Sequence, residues 1–165
     1  MSGDILWAPW RMEFIRGAKS SKDSCIFCEL ATSGEIDSKN LVLHRAKSSY
    51  VLMNRYPYNT GHLLVIPFSH TGTLSSLSSD EHAEIMRLTS ASVEILQKIL
   101  GAEGFNCGFN LGRSAGAGIA DHLHMHIVPR WVGDSNFMPV IGGTRSMPEY
   151  LKETYSELAD SFKAL

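Results

Sequence analysis

Three histidines alternate with apolar residues in Asp121-His122-Leu123-His124-Met125-His126-Ile127-Val128-Pro129-Arg130. A period of two is that of a β-strand, so over 121–130 the imidazoles share one face while Leu123, Met125 and Ile127 turn to a core. Imidazole is neutral near pH 7 and keeps a lone pair without a strong base beside it, but its polar nitrogens must be satisfied wherever it is buried. Such a face suits nucleophilic attack, proton handling or metal ligation. The rise of a strand puts the outer pair about 13 Å apart, too far to share one ion comfortably through bonds of about 2 Å. A solvated face with chance histidines is the bland alternative. The reading that uses all three rings is a division of labour: one attacks, one assists and one is held elsewhere.

Two further patterns could bear chemistry. Just upstream, Asn110 and the glycines of Gly112-Arg113-Ser114-Ala115-Gly116-Ala117-Gly118 lay bare backbone beside the histidines. Successive N–H groups in such a loop can form an anion-binding concavity, although glycine alone supports a flexible connection equally well. The Gly-Lys-Ser/Thr ending of a Walker-type loop occurs nowhere, so phosphate-anhydride chemistry here would have to run through histidine. Cys25-x-x-Cys28 is one half of a metal site. It could also be a redox pair, without the strand–helix context such pairs have, or two buried small hydrophobes.

The elements that must carry these residues follow from pattern. Leu41 to Arg45 and Tyr50 to Arg55 are expected strands of a hairpin turned at Ala46-Lys47-Ser48-Ser49. His62 to Pro67 is apolar on both faces and belongs in the middle of a sheet. Ser78 with Glu81 has the form of a capping box opening a long helix that stops at Gly101. Phe105 to Leu111 is a further strand. A last helix is expected from about Met147-Pro148-Glu149 to Lys163, with Tyr150, Leu151, Tyr155, Leu158 and Phe162 on one face. Antiparallel strands with one long and one terminal helix make an α+β fold. A chain of 165 residues fits one domain over 1–165. A net charge of −2 speaks against a broad nucleic-acid surface, so an anionic ligand must be met locally. The amino terminus lacks signal-peptide character and no stretch is apolar enough to span a bilayer, which predicts a cytoplasmic protein. Leu6-Trp7-Ala8-Pro9-Trp10-Arg11 is too apolar for a free tail, and the odd cysteine count, with Cys107 alone, makes no disulfide framework.

The run HLHMHIV resembles the His-φ-His-φ-His-φ-φ signature of the histidine-triad superfamily of nucleotide hydrolases and transferases. Met53-Asn54-Arg55-Tyr56-Pro57 through Gly61-His62 is similar to a run of its fragile-histidine-triad branch. Leu6 to Arg11, Pro57-Tyr58-Asn59-x-Gly61-His62, Asn110-Leu111-Gly112-x-Ser114-Ala115-Gly116 and Trp131-x-Gly133-Asp134-x-Asn136-Phe137 with Gly142 to Arg145 resemble the bacterial diadenosine tetraphosphate phosphorylases. The resemblance implies that His124 attacks the α-phosphorus to form a nucleotidyl-histidine. It implies that His126 contacts the phosphate or leaving oxygen, with Asn110 and the Gly116, Ala117 and Gly118 backbone offsetting developing charge, and that Asn54 holds the ribose hydroxyls. An Asx turn is the alternative for Asn54. His62 is either support for the site or a satisfied core histidine, with the second favoured; His44, His82 and Cys107 receive no role. For the metal, the resemblance implies structural zinc on Cys25, Cys28, His70 and His122, and it implies a homodimer sharing one sheet. Related hydrolases carry glutamine or serine where this chain has Gly116-Ala117-Gly118-Ile119-Ala120-Asp121, which leaves room for inorganic phosphate as acceptor. The alternatives are a hydrolase of dinucleoside polyphosphates or adenosine phosphoramidates, a non-catalytic nucleotide-binding signalling module, and a metalloenzyme with metal on the triad.

Overall fold

The structure is a computed structural model and describes residues 25–33, 39–134 and 151–165. Its centre is a five-stranded antiparallel sheet in the order β1-β2-β3-β5-β4, formed by β1 (Val42–Arg45), β2 (Ser49–Met53), β3 (Leu63–Pro67), β4 (Gly104–Phe109) and β5 (Met125–Arg130). The hairpin of β1 and β2 closes through the Ala46 N–H donating to Ser49 O at 2.9 Å. The turn is also pinned from the long helix: Glu84, 4% exposed, accepts the Ser48 N–H and, at 2.8 Å, its hydroxyl. Every residue of β3 is buried, as its two-sided apolar run requires of a strand with neighbours on both edges.

The long helix α2 (Ser79–Leu100) begins on a complete capping box between Ser78 and Glu81 and ends on Gly101 in the left-handed region. It lays Ile85, Leu88 and Leu96 on one side of the sheet. Gly61 shows how tightly: its φ is +72°, and a Cβ there would stand 2.6 Å from Leu100 Cδ1. The last helix α3 (Leu151–Lys163) buries Tyr155, Leu158 and Phe162 beside β1, and the Tyr155 hydroxyl donates to Val42 O at 2.9 Å. A short helix, α1 (Ile26–Thr32), which composition did not announce, follows Cys25 and inserts Phe27 into the core.

Several expectations need adjusting. The strand expected over 121–130 forms its ladder only from Met125, so His122 and His124 precede it. Their backbone is taken elsewhere: the Leu123 N–H donates to Thr71 O at 2.7 Å, and the His122 carbonyl accepts from a ring. The loop at 112–118 contains a turn of 3-10 helix at Arg113–Ala115, entered through Gly112 at φ +79° and left through Gly116 at φ +87°. The tryptophan-rich start, the turn at 147–149 expected to open α3, and the segment from Asn136 to Arg145 lie outside the described residues.

Candidate active site and metal cluster

His122 is fully buried, and its Nε2–H donates to the Pro67 carbonyl at 2.9 Å. That bond fixes the tautomer and leaves the Nδ1 lone pair facing Cys25 Sγ at 3.3 Å and Cys28 Sγ at 3.6 Å. His70, exposed on the loop after β3, brings its Nδ1 to 3.2 Å from Cys28 Sγ. One ligand atom from each of Cys25, Cys28, His70 and His122 lies within 4.8 Å of all the others. Bonds of about 2.0–2.3 Å to a tetrahedral ion give ligand–ligand edges of about 3.3–3.8 Å, so small side-chain shifts suffice and these four could hold a metal. The chemistry of the donors agrees. Burial, followed by the neighbouring Cys25, pushes the Cys28 thiol above its ordinary value, and a divalent cation between them would offset that cost. Burial likewise keeps His122 neutral, against the opposing bond to Pro67, as ligation requires.

His124 is anchored by its own chain. Its Nδ1–H donates to the His122 carbonyl at 2.9 Å, so the lone pair resides on Nε2. Burial lowers its basicity further than that bond restores it, which favours the neutral ring near pH 7. The Phe27 ring stands against both His124 and His122, with centroids 5.2 and 5.5 Å away.

The proton positions on His126 can be read from a chain of bonds. The Tyr58 backbone N–H donates to His62 Nδ1 at 3.0 Å, which places the His62 proton on Nε2. That N–H in turn points at His126 Nδ1, 3.0 Å away. His126 therefore accepts at Nδ1 and carries its own proton on Nε2, where Asn110 lies 3.3 Å off. A ring N–H there asks the Asn110 amide to present its oxygen. Burial, and then the charges of His126 and His124, hold the His62 pKa down to about 3, so it stays a neutral donor. His62 is thus a satisfied core histidine, buried and bonded at both ring nitrogens, and it also supports the site through its contact with His126. His62, just before β3, has the parity of Leu64, and the register that pairs Leu64 with His126 brings the two rings together.

The remaining candidates divide. Asn54 makes the Asx turn, its Oδ1 accepting the Tyr56 N–H at 3.0 Å, while its Nδ2 lies 3.2 Å from His62 Nδ1. It therefore borders the histidine chain at the end of β2. In the glycine loop the N–H groups of Gly116 and Ala117 donate to Arg113 O and Gly112 O within the turn, which turns them away from an anion. The structure draws His122, His124, His126 and His62 into one buried array, with the half-buried Asn110 beside His126, and leaves His44, bonded to Phe162 O, and His82, bonded to Ser78 O, away from it.

A fold of this kind with these rings on and just before β5 is that of the histidine-triad proteins, and the chain belongs to that family: the HIT domain model matches residues 34–132. The AP-4-A phosphorylase of Mycobacterium tuberculosis is 39% identical over 161 residues, covering 93% of this chain and 82% of its own. An adenosine 5'-monophosphoramidase of Schizosaccharomyces pombe is 35% identical over 107 residues, 65% of this chain and 74% of its own. A Zn-bound histidine triad family protein from Mycobacterium smegmatis shares the fold with a TM-score of 0.68 at 22% identity, covering 86% of this chain and 94% of that one.

Proposed function

We propose that the protein is a nucleotidyl-transferring enzyme that cleaves dinucleoside polyphosphates such as diadenosine tetraphosphate, by phosphorolysis to ADP and ATP. The observation that carries this reading is the tautomer of His124: its Nδ1–H is committed to the His122 carbonyl, so a buried, neutral Nε2 lone pair is available. Nε2 forms a bond to the α-phosphorus as the bond to the bridging oxygen breaks, and ATP leaves with that electron pair. Inorganic phosphate then attacks the adenylyl-phosphorus, the phosphorus–nitrogen bond breaks, and ADP leaves with His124 restored. The leaving polyphosphate is already a stable anion, so a transferred proton is unnecessary. A neutral His126 with its proton on Nε2 suits this step, stabilising developing charge by donating a hydrogen bond. Gly118 is the part of the glycine loop assigned to the phosphates, since Gly116 and Ala117 spend their N–H groups in the turn. Asn54 is assigned to the ribose and Asn110 to the phosphate beside His126.

The similarity to the Mycobacterium tuberculosis AP-4-A phosphorylase over most of both chains supports phosphate as the acceptor. The likeness to the Schizosaccharomyces pombe phosphoramidase supports the second reading, hydrolysis of adenosine phosphoramidates or dinucleoside polyphosphates. Zinc is assigned to Cys25, Cys28, His70 and His122, a set that leaves no open position, so its contribution is structural. The structural neighbour from Mycobacterium smegmatis is itself Zn-bound, which supports the choice of metal. Strand β4, whose residues Asn106, Cys107 and Gly108 are exposed on the sheet edge, is assigned to a homodimer joined into one sheet. A cytoplasmic setting fits thiols kept reduced for a metal.

The test is turnover of diadenosine tetraphosphate by wild type and His124→Ala, with and without inorganic phosphate, the products being resolved by anion exchange. ADP with ATP formed only when phosphate is present is the expected result. AMP with ATP in water alone would make it a hydrolase, and turnover surviving His124→Ala would remove the covalent mechanism.

A further inference from the structure

The hydrogen bond from His124 to the His122 carbonyl is not enough to hold the ring. The last torsion of histidine is broad and roughly two-fold, and one neutral hydrogen bond favours one orientation by only about fivefold. A half-turn about that torsion exchanges Nε2 with a carbon and leaves no lone pair at the reacting position. A second constraint is needed, and Phe27 is placed to supply it. Its ring is 6% exposed, tilted 53° against His124 at 5.2 Å and set edge-on to His122 at 83° and 5.5 Å.

Phe27 is itself aimed by tethers on each side. Cys25 and Cys28 flank it and belong to the metal cluster. The Tyr50 hydroxyl donates to the Phe27 carbonyl at 2.9 Å. At the far end of α1, the Arg45 guanidinium donates to the carbonyls of Leu30 and, at 3.1 Å, Ala31. Seven residues of helix do not hold their shape in water unaided. These attachments therefore decide where the phenyl ring stands.

We propose that Phe27 is a positioning residue for His124: a flat wall that blocks the ring flip, set in place by the clasp of the two cysteines around it. The effect on turnover rests on the reading of His124 as nucleophile; the orientation of the ring does not. The test uses zinc-loaded protein with stoichiometric metal measured first. Phe27→Leu keeps an apolar side chain and removes the flat ring, whereas Phe27→Tyr keeps the ring. Nuclear Overhauser contacts from the two carbon-bound protons of the His124 ring to its neighbours report which way the ring faces. Wild type and Phe27→Tyr are expected to show the contacts of one orientation, with Nδ1 towards the His122 carbonyl, and Phe27→Leu the contacts of both. With diadenosine tetraphosphate and phosphate, Phe27→Leu is expected to lower kcat by the flipped fraction, about a sixth at a fivefold preference, with KM within about twofold and Phe27→Tyr near wild type. If Phe27→Leu does not fold or load zinc, Phe27→Met replaces it in both measurements. A single, unaltered His124 ring orientation in the ring-deleted variant would overturn the proposal, and so would a loss confined to KM. The spectrum needs no substrate, so its failure is separable from a failure of the proposed activity.

Discussion

Replacing His62 by glutamine makes the buried histidine chain measurable through the pH dependence of stability. His62 has no exposed surface, and burial, then the charges of His126 and His124, lower its pKa to about 3. In the unfolded chain the same ring titrates near about 6.5. The folded value is the lower one, so between the two the unfolded state holds the extra proton, and stability falls as the pH drops below about 6.5. For one such group, the loss between about pH 7.5 and about pH 5.5 works out at about 1.4 kcal/mol. Burial also lowers His122 and His124, and they steepen the wild-type curve, but both remain in the variant. The quantity to read is therefore the difference in slope. Urea unfolding at several pH values in this window, at matched zinc, should show wild type losing about 1.4 kcal/mol more than His62→Gln. A uniform drop in the variant's stability would leave this comparison intact. Parallel curves would refute the reasoning, because they would mean that His62 takes up a proton as easily folded as unfolded.

Stripping the metal with a chelator should lower the midpoint of thermal unfolding by several degrees, since a folded-state ligand is lost. Initial turnover measured at once at low temperature should survive the treatment, and prompt abolition would count for metal at the reacting centre. Gly61→Ala should cost about 1–3 kcal/mol in urea unfolding, combining the penalty for a side chain at positive φ with overpacking; the added methyl meets Leu100 Cδ1 at 2.6 Å and Leu96 Cδ2 at 3.1 Å. A cost below about 0.5 kcal/mol, the level of a surface change, would show that α2 yields there.

How far the sequence could be read depended on whether the cause was local. Both ends of α2 were legible because Ser78, Glu81 and Gly101 act within a turn of themselves. The alternation around His124 correctly marked residues that share an array. It could not tell where the ladder starts, because that depends on the carbonyls of Pro67 and Thr71, more than 50 residues earlier. The link between His62 and His126 needed the β3–β5 register as well as parity. Helix α1 was hidden for the same reason: Arg45 and Tyr50, from the facing hairpin, bond to its backbone. Composition suggested an anion nest at 112–118, but glycine content does not encode the dihedral angles, and the left-handed Gly112 and Gly116 close a turn that consumes two of the expected donors.

The departure of His122 and His124 from the sheet separates what would otherwise be one structure into three attachments. His122 answers to a strand end and the thiols, His124 to its own backbone, and His126 to a ring on the neighbouring strand. Damage to one attachment therefore has no direct route to all three rings: oxidation of the cysteines strikes His122 and, through Phe27, the ring of His124, whereas a repacked β3 strikes His126. A protein built this way can lose function by degrees, and an engineer can retune the surroundings of His126 through β3 while leaving the backbone anchor of His124 alone.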